Sequence, residues 1–390
     1  MNNNIAIVAV AYNRIDTLKR LLTSLEEADY GCDSPTLIIS IDKSDTDIVE
    51  VFSDEYFWPY GKKIISKHES NMGLHKHMMS LGQWFDLFDN LVVLEDDIIV
   101  SSSFYLYAQK AINIYSGNMS IAGISLYGFS TNYQNGQSFI PIKNQYDGYF
   151  MNCAMSWGQI WMKSQWKAFY EWYLLNIKFE YSSEIPPCLF MWKKSWLKYH
   201  TRYCIEENKY FVFPYCSLST NTGSVGTHSA QDDYTYQVPL QQTKTDFHLP
   251  LSVKDAICYD AFFENKCIYD VLGYSPKDLC IDLSGTNKNN QNKRYWLTNT
   301  VSDYKILKSY GMSYRPIEVN VIRDYSGNDI FLYDTYVFAL NKNKTNNKRF
   351  LYACNYKSIL QIIGLYGKTS VFIDYVQSIK NKIFCKNHNR

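Results

Sequence analysis

The chain lacks net charge. Its 39 Lys and Arg stand against 38 Asp and Glu, leaving +1, so no global field draws it to nucleic acid or to acidic partners. It also lacks cysteine pairs with metal-ligand spacing. Of the ten cysteines, Cys153, Cys188, Cys204, Cys216, Cys258 and Cys267 are scattered and no CxxC occurs, which points to free thiols in a reducing compartment. No stretch approaches the ~18 apolar residues of a membrane span. Met1-Asn2-Asn3-Asn4 brings neither a basic n-region nor a long apolar h-region, so no signal peptide is expected. The expectation from these features is a protein on the cytoplasmic side, soluble or lying on a membrane.

What is present is a folded chain. Hydrophobic residues make up 46% and charged residues 20% of 390, enough to bury a sizeable core in two domains. Aromatics reach 16%, with 34 Tyr. Much of that excess is compositional, since Asn, Lys and Ile are abundant too; the remainder suits grooves in which rings stack on sugars or bases.

The N-terminal half alternates strand and helix. Ile5 to Ala11 is a continuous apolar run of the kind covered on both faces in a parallel sheet. It ends at Tyr12-Asn13-Arg14. Leu18, Leu21, Leu22 and Leu25 then recur at helical spacing, with Asp16 and Thr17 as capping candidates. Thr36 to Ile41 reads as a second strand ending at Asp42. A helix around Asp47 to Phe52 and a short strand near Lys63 to Ser66 follow. After a loop from His68 to Leu74, Lys76 to Phe88 reads as helix. Leu91 to Leu94 is a fourth strand running directly into Glu95-Asp96-Asp97. The pattern predicts a doubly wound α/β sheet, whose ligands bind beyond the carboxyl ends of the strands. Asn13-Arg14, Asp42 and Glu95-Asp96-Asp97 all fall at such ends.

Acidic residues rigidly placed after a buried strand suit a hard divalent cation, Mn²⁺ or Mg²⁺, which takes one or two carboxylates together with phosphate oxygens and water. A cation so held stabilises a nucleotide diphosphate as a leaving group. Three acids after a strand can also simply form a turn or a helix N-terminus.

The surrounding residues carry a resemblance. VAVAYNRIDTLKRLLTSL is similar to the opening strand and helix of GT-A glycosyltransferases. HKHMMSLGQWFDLFDNLVVLEDDIIVSSSFY resembles the corresponding segment of N-acetylglucosaminyltransferases that act on N-glycans, and the whole is also like bacterial family 2 polysaccharide glycosyltransferases. The resemblance covers about residues 5 to 240 and implies a nucleotide-sugar transferase. On it, Asp97 binds the metal, Glu95 and Asp96 contact ribose or metal-bound water, and Asp42 reads a uracil-type base edge. Ala11, Asn13, Arg14, Asn71 and Gly73 then border the nucleotide. Trp157 and Gly158, in SWGQIWMKSQW, resemble a loop that admits the donor sugar close to the backbone, whereas Trp161 and Trp166 read as core. His228, in GSVGTH, resembles a C-terminal histidine that completes the metal or diphosphate site.

One part of the pattern is missing. An inverting transferase needs a base for the acceptor hydroxyl, and the resemblance expects an acid near Trp196, where this chain reads Trp196-Leu197-Lys198-Tyr199. Glu184 and Glu206 are the candidate catalytic acids nearby, with Glu180, Glu207, Asp232 and Asp233 as neighbours. Glu206-Glu207 also fits a solvated helix end.

The expected organisation is a GT-A domain over 1–245, a linker near Gln241 to Pro250, and a smaller α+β module over 250–390. Its tail, from about 356, mixes Ile359, Leu360, Ile362, Ile363 and Leu365 with Lys357, Lys368, Lys380, Lys382 and Lys386. That suits an anionic membrane surface, or equally a helix pair with a solvated lysine face. The expected partners are a nucleotide-sugar donor, UDP-linked by the Asp42 match, and a glycan or lipid-linked acceptor of capsule or lipopolysaccharide type. Two rivals stand beside this reading. One is a fold-retaining carbohydrate-binding or scaffolding protein without turnover. The other is a sugar nucleotidyltransferase, which usually opens on a Gly-rich basic loop that Asn13-Arg14-Ile15 is not.

Overall fold

The structure, a computed structural model, describes residues 4–224, 233–341, 352–353, 356–370, 372–373 and 376. All seven residues of β1 (Ile5–Ala11) are buried, as a strand covered on both faces must be. The amphipathic helix α1 (Ile15–Glu26) lays Leu18, Leu21, Leu22 and Leu25 against it. Asp16 and Thr17 fall inside the first turn, and Arg14 takes the N-cap position without a side-chain cap bond. Next come β2 (Thr36–Ile41), α2 (Ile48–Glu55) and β3 (Lys63–Lys67). The helix read over Lys76 to Phe88 divides into α3 (Gly73–Ser80) and a tighter 3₁₀ segment, Leu81–Asp86. β4 (Asn90–Glu95) and β5 (Ile98–Val100) flank the turn that carries Asp96 and Asp97.

Beyond α4 (Phe104–Tyr115), β6 (Ile121–Ser125), β7 (Gly148–Met151), β8 (Gln159–Met162) and α5 (Lys163–Leu175) follow in turn. α6 (Pro187–Met191), α7 (Leu197–Glu206), β9 (Tyr210–Pro214) and β10 (Ser219–Asn221) lead to β11 (Cys258–Tyr259). Nine strands form one sheet in the order β11-β7-β9-β6-β8-β4-β1-β2-β3, with β5 and β10 as a separate pair. The half from β3 to β4 is parallel, while β8 runs antiparallel to both β4 and β6. The α/β class is thus as read, and the sheet is mixed.

Two apolar layers cover this sheet. Trp161 and Trp166 stack at 3.9 Å within one of them, the core role read for them. The segment around Gln241 to Pro250 packs against the sheet: Phe247 and Leu249 are buried, and the Tyr115 hydroxyl donates to the Pro250 carbonyl at 2.7 Å. β11, past Pro250, is an edge strand of the large sheet, so that sheet draws on chain beyond residue 250. A second sheet follows, built from Leu279–Asp282, Tyr295–Thr298, Tyr304–Tyr310 and Ile330–Phe338. It has its own core around Ile281, Leu297 and Leu332. Among the described residues no helix is long and apolar enough to cross a membrane, and the eight described cysteines are free.

Candidate active site

The site is assembled from the carboxyl ends of β1, β2 and β4. The first group is a backbone-and-carboxylate knot. Asp42, 4% exposed, donates its N–H to the Ala11 carbonyl at 3.0 Å. Its carboxylate accepts from the Lys43 and Met72 N–H groups on one oxygen and from Gly73 on the other, all within 2.9 Å. Gly73 has φ +72, a conformation glycine adopts without cost. The Asn71 side chain donates to the Lys43 carbonyl at 2.9 Å. Ala11, Asp42, Asn71 and Gly73 therefore form one unit, with Asp42 holding the loop 71–73 onto β2.

The second group is ionic. The Arg14 guanidinium pairs with Asp96 through Nη2 and, at 3.4 Å, through Nε, and the same Nη2 lies 3.0 Å from Asp97 Oδ2. The Asp96 side chain is 5% exposed, whereas those of Arg14 and Asp97 are each 27% exposed. Burial lifts the Asp96 carboxyl to about 6 although Arg14 opposes it. Burial, with Asp97 and Asp96 alongside, pushes Glu95 up to about 8, against Arg14 and a hydrogen bond from Ser156.

The third group lines the next edge. β8 pairs with β4 so that Gln159 faces Val93, which puts Ser156-Trp157-Gly158 beside Glu95. Gly158 has φ +92, and a Cβ there would meet Ser219 Oγ at 2.9 Å and Leu126 Cβ at 3.2 Å. Only glycine satisfies both constraints. The Ser219 hydroxyl donates to the Trp157 carbonyl at 2.5 Å. The Trp157 ring lies 4.9 Å from that of Tyr127 and 5.4 Å from that of Tyr236. On the far side the Thr222 N–H donates to the Asp97 carbonyl at 2.8 Å. Thr222, Ser224 and Arg20 are linked through their side chains, and Asp233 N–H returns to Gly223 O at 2.8 Å. His228 lies outside the described residues.

Glu184 and Glu206 are not brought to this site. Glu184 accepts from the Asn289 side chain and faces Lys293 at 3.7 Å, at the second sheet's edge. Glu206 pairs with Arg202 at 2.7 Å along α7. Lys198 is buried, donates to the Lys193 carbonyl at 3.2 Å and lies over Phe179 at 4.9 Å. Ser156, which opens the quoted SWGQIWMKSQW with Trp157 and Gly158, comes to Glu95. Thr222 and Tyr236 carry no signal in the sequence, since they depend on a strand pairing and a return loop that no local pattern announces.

A divalent cation fits the donor chemistry. Asp97 offers an accessible carboxylate oxygen, and one such ligand with phosphate oxygens and water suffices for Mg²⁺ or Mn²⁺. Among the described residues no three His, Cys, Asp or Glu side chains converge to cage a metal.

No protein-family model and no curated protein matches the chain. Solved structures do. A mannosyltransferase from Pyrobaculum calidifontis, in complex with GDP-Man and Mn²⁺, is 10% identical over 54% of each chain, with a TM-score of 0.35. The S. aureus TarS fragment 1–349 with UDP-GlcNAc is 11% identical over 58% of this chain and 60% of that one, at 0.38. GalNAc-T7 with UDP, GalNAc and Mn²⁺ is 14% identical over 57% of this chain and 44% of that one, at 0.38. The chain thus spans about half the length of the structures it matches.

Proposed function

We propose that this chain is a GT-A-type glycosyltransferase that moves a sugar from a nucleotide-diphosphate donor to a surface glycan. The observation that carries the reading is the convergence of Arg14, Asp42, Glu95-Asp96-Asp97 and Trp157-Gly158 at one sheet edge, each in a distinct chemical role. The loop 71–73 that Asp42 fixes would border the base and ribose. The preference for uracil rests on the sequence resemblance alone, since the Asp42 carboxylate is itself engaged by backbone N–H groups. Arg14 supplies a fork of donors for phosphate oxygens. Asp97 would hold Mn²⁺ or Mg²⁺, with His228 as its partner, and the ion so held would supply positive charge to the departing diphosphate. The part-exposed rings of Trp157 and Tyr236, 5.4 Å apart, would give the donor sugar an apolar wall, and Gly158 lets their loop close onto Ser219 and Leu126.

The acceptor is a growing capsule or lipopolysaccharide unit, free or lipid-linked, with the basic tail as a membrane contact on the cytoplasmic face. The general base is unassigned, since Glu184 and Glu206 are engaged elsewhere and Lys198 stands where an acid is expected. That observation favours a second reading, donor binding without turnover. Calorimetric titration with UDP tests what both share. Mn²⁺-dependent binding is expected, and no binding with or without Mn²⁺ contradicts both.

A further inference from the structure

We infer that Arg14 guards the metal ligand: it competes with the divalent cation for Asp97 and makes metal entry depend on the nucleotide diphosphate. The inference rests on the transferase reading above and adds an order of events to it.

The two halves of the Arg14 clamp are unequal. Toward Asp96 the guanidinium uses both Nη2 and Nε, and that carboxylate is 5% exposed. Toward Asp97 it makes a single contact of 3.0 Å between side chains that are each 27% exposed. Breaking a buried ion pair strands a charge in a poor dielectric, whereas breaking a solvated one costs little. The Asp97 contact is the one that yields.

While it persists, an Nη2 proton occupies one of the two Asp97 oxygens, Oδ2, and places a positive charge against the carboxylate that would hold the cation. A diphosphate changes this balance, because two of its oxygens can accept from the planar Arg14 guanidinium in place of Asp97. Arg14 then stays on Asp96, turns its free donors to phosphate and releases Asp97. By linkage, whatever draws Arg14 from Asp97 tightens the metal by the same factor that the metal tightens it. Arg14 is a positioning residue in this scheme. It keeps the acidic turn compact and biases the protein toward accepting metal and donor together.

The test follows free Mn²⁺ by electron paramagnetic resonance on the full chain, with and without UDP. Arg14→Ala is expected to bind Mn²⁺ alone about fivefold tighter than wild type, the factor for a solvated ion pair of about 1 kcal/mol. The enhancement by UDP is expected to shrink by the same factor. The gain must vanish in Arg14→Ala/Asp97→Asn, which separates release of Asp97 from metal capture by an unpaired Asp96. Should Arg14→Ala not fold by circular dichroism, Arg14→Gln takes its place, and Arg14→Lys is expected to fall between it and wild type. Mn²⁺ binding to the variant no tighter than to wild type overturns the guard while leaving the transferase reading intact. Absence of Mn²⁺ uptake in every arm, UDP included, overturns the transferase reading and the guard with it.

Discussion

Asp42 and Asp97 both lie just past a strand end, yet their surroundings separate them. Asp42 is buried and its two oxygens are held by three backbone N–H groups. Asp97 keeps 27% of its side chain exposed beside a single arginine contact. Asp97→Asn is therefore expected to leave thermal unfolding unchanged and to abolish Mn²⁺-dependent UDP binding; undiminished binding in a titration refutes its role as ligand. Asp42→Asn is expected to destabilise the fold by about 1–3 kcal/mol, the cost of leaving buried backbone donors unpaired. An unchanged urea midpoint contradicts that assignment. The sequence made both positions visible, because a polar residue directly after an apolar run marks a strand's carboxyl end. It did not separate their roles, since the partners of Asp42 come from a loop some thirty residues on.

Among the elements, β1, β2 and β4 were legible because strands buried on both faces leave uninterrupted apolar runs. The antiparallel β8, its fellow short strand β7 and the edge strand β11 were not. Each has four residues or fewer, too short for a period, and their pairing is set by distant chain. The base was illegible for a related reason: Glu184 and Glu206 are near the expected position in sequence, but their elements turn them to other partners. The packing of α7 on α5 gives the element-scale prediction. His200, fully buried, stacks on Phe169 at 4.0 Å, and burial lowers its pKa from 6.5 to about 3. The neutral ring is the folded form, so its contribution is complete above pH 6.5 and is lost as pH falls toward 3. His200→Phe is expected to flatten that acid-side loss in unfolding midpoints measured from pH 7 to pH 4. An equal slope in variant and wild type contradicts burial of a neutral ring.

For the whole molecule, charge is distributed unevenly along a nearly neutral chain. From 356 onward six basic residues stand against Asp374 alone. The helix Tyr356–Tyr366 leaves Ile359, Leu360, Ile362 and Leu365 between 46% and 78% exposed. These exposed apolar side chains suit the proposed membrane contact. Removal of residues after Asn355 is expected to weaken partitioning onto phosphatidylserine-containing vesicles more than tenfold, each basic residue near the surface being worth about 1 kcal/mol, or roughly fivefold, without changing UDP affinity. Full vesicle recovery of the truncated protein counts against the tail as anchor.

The central claim is sugar transfer from a nucleotide diphosphate at the Arg14–Asp97 edge. Incubation of the full chain with a panel of labelled UDP- and GDP-sugars and Mn²⁺, in parallel with Asp97→Asn, tests it most directly. The account predicts release of nucleoside diphosphate from at least one donor, lost on chelation of the metal and in the variant. Donor binding without release across the whole panel contradicts it.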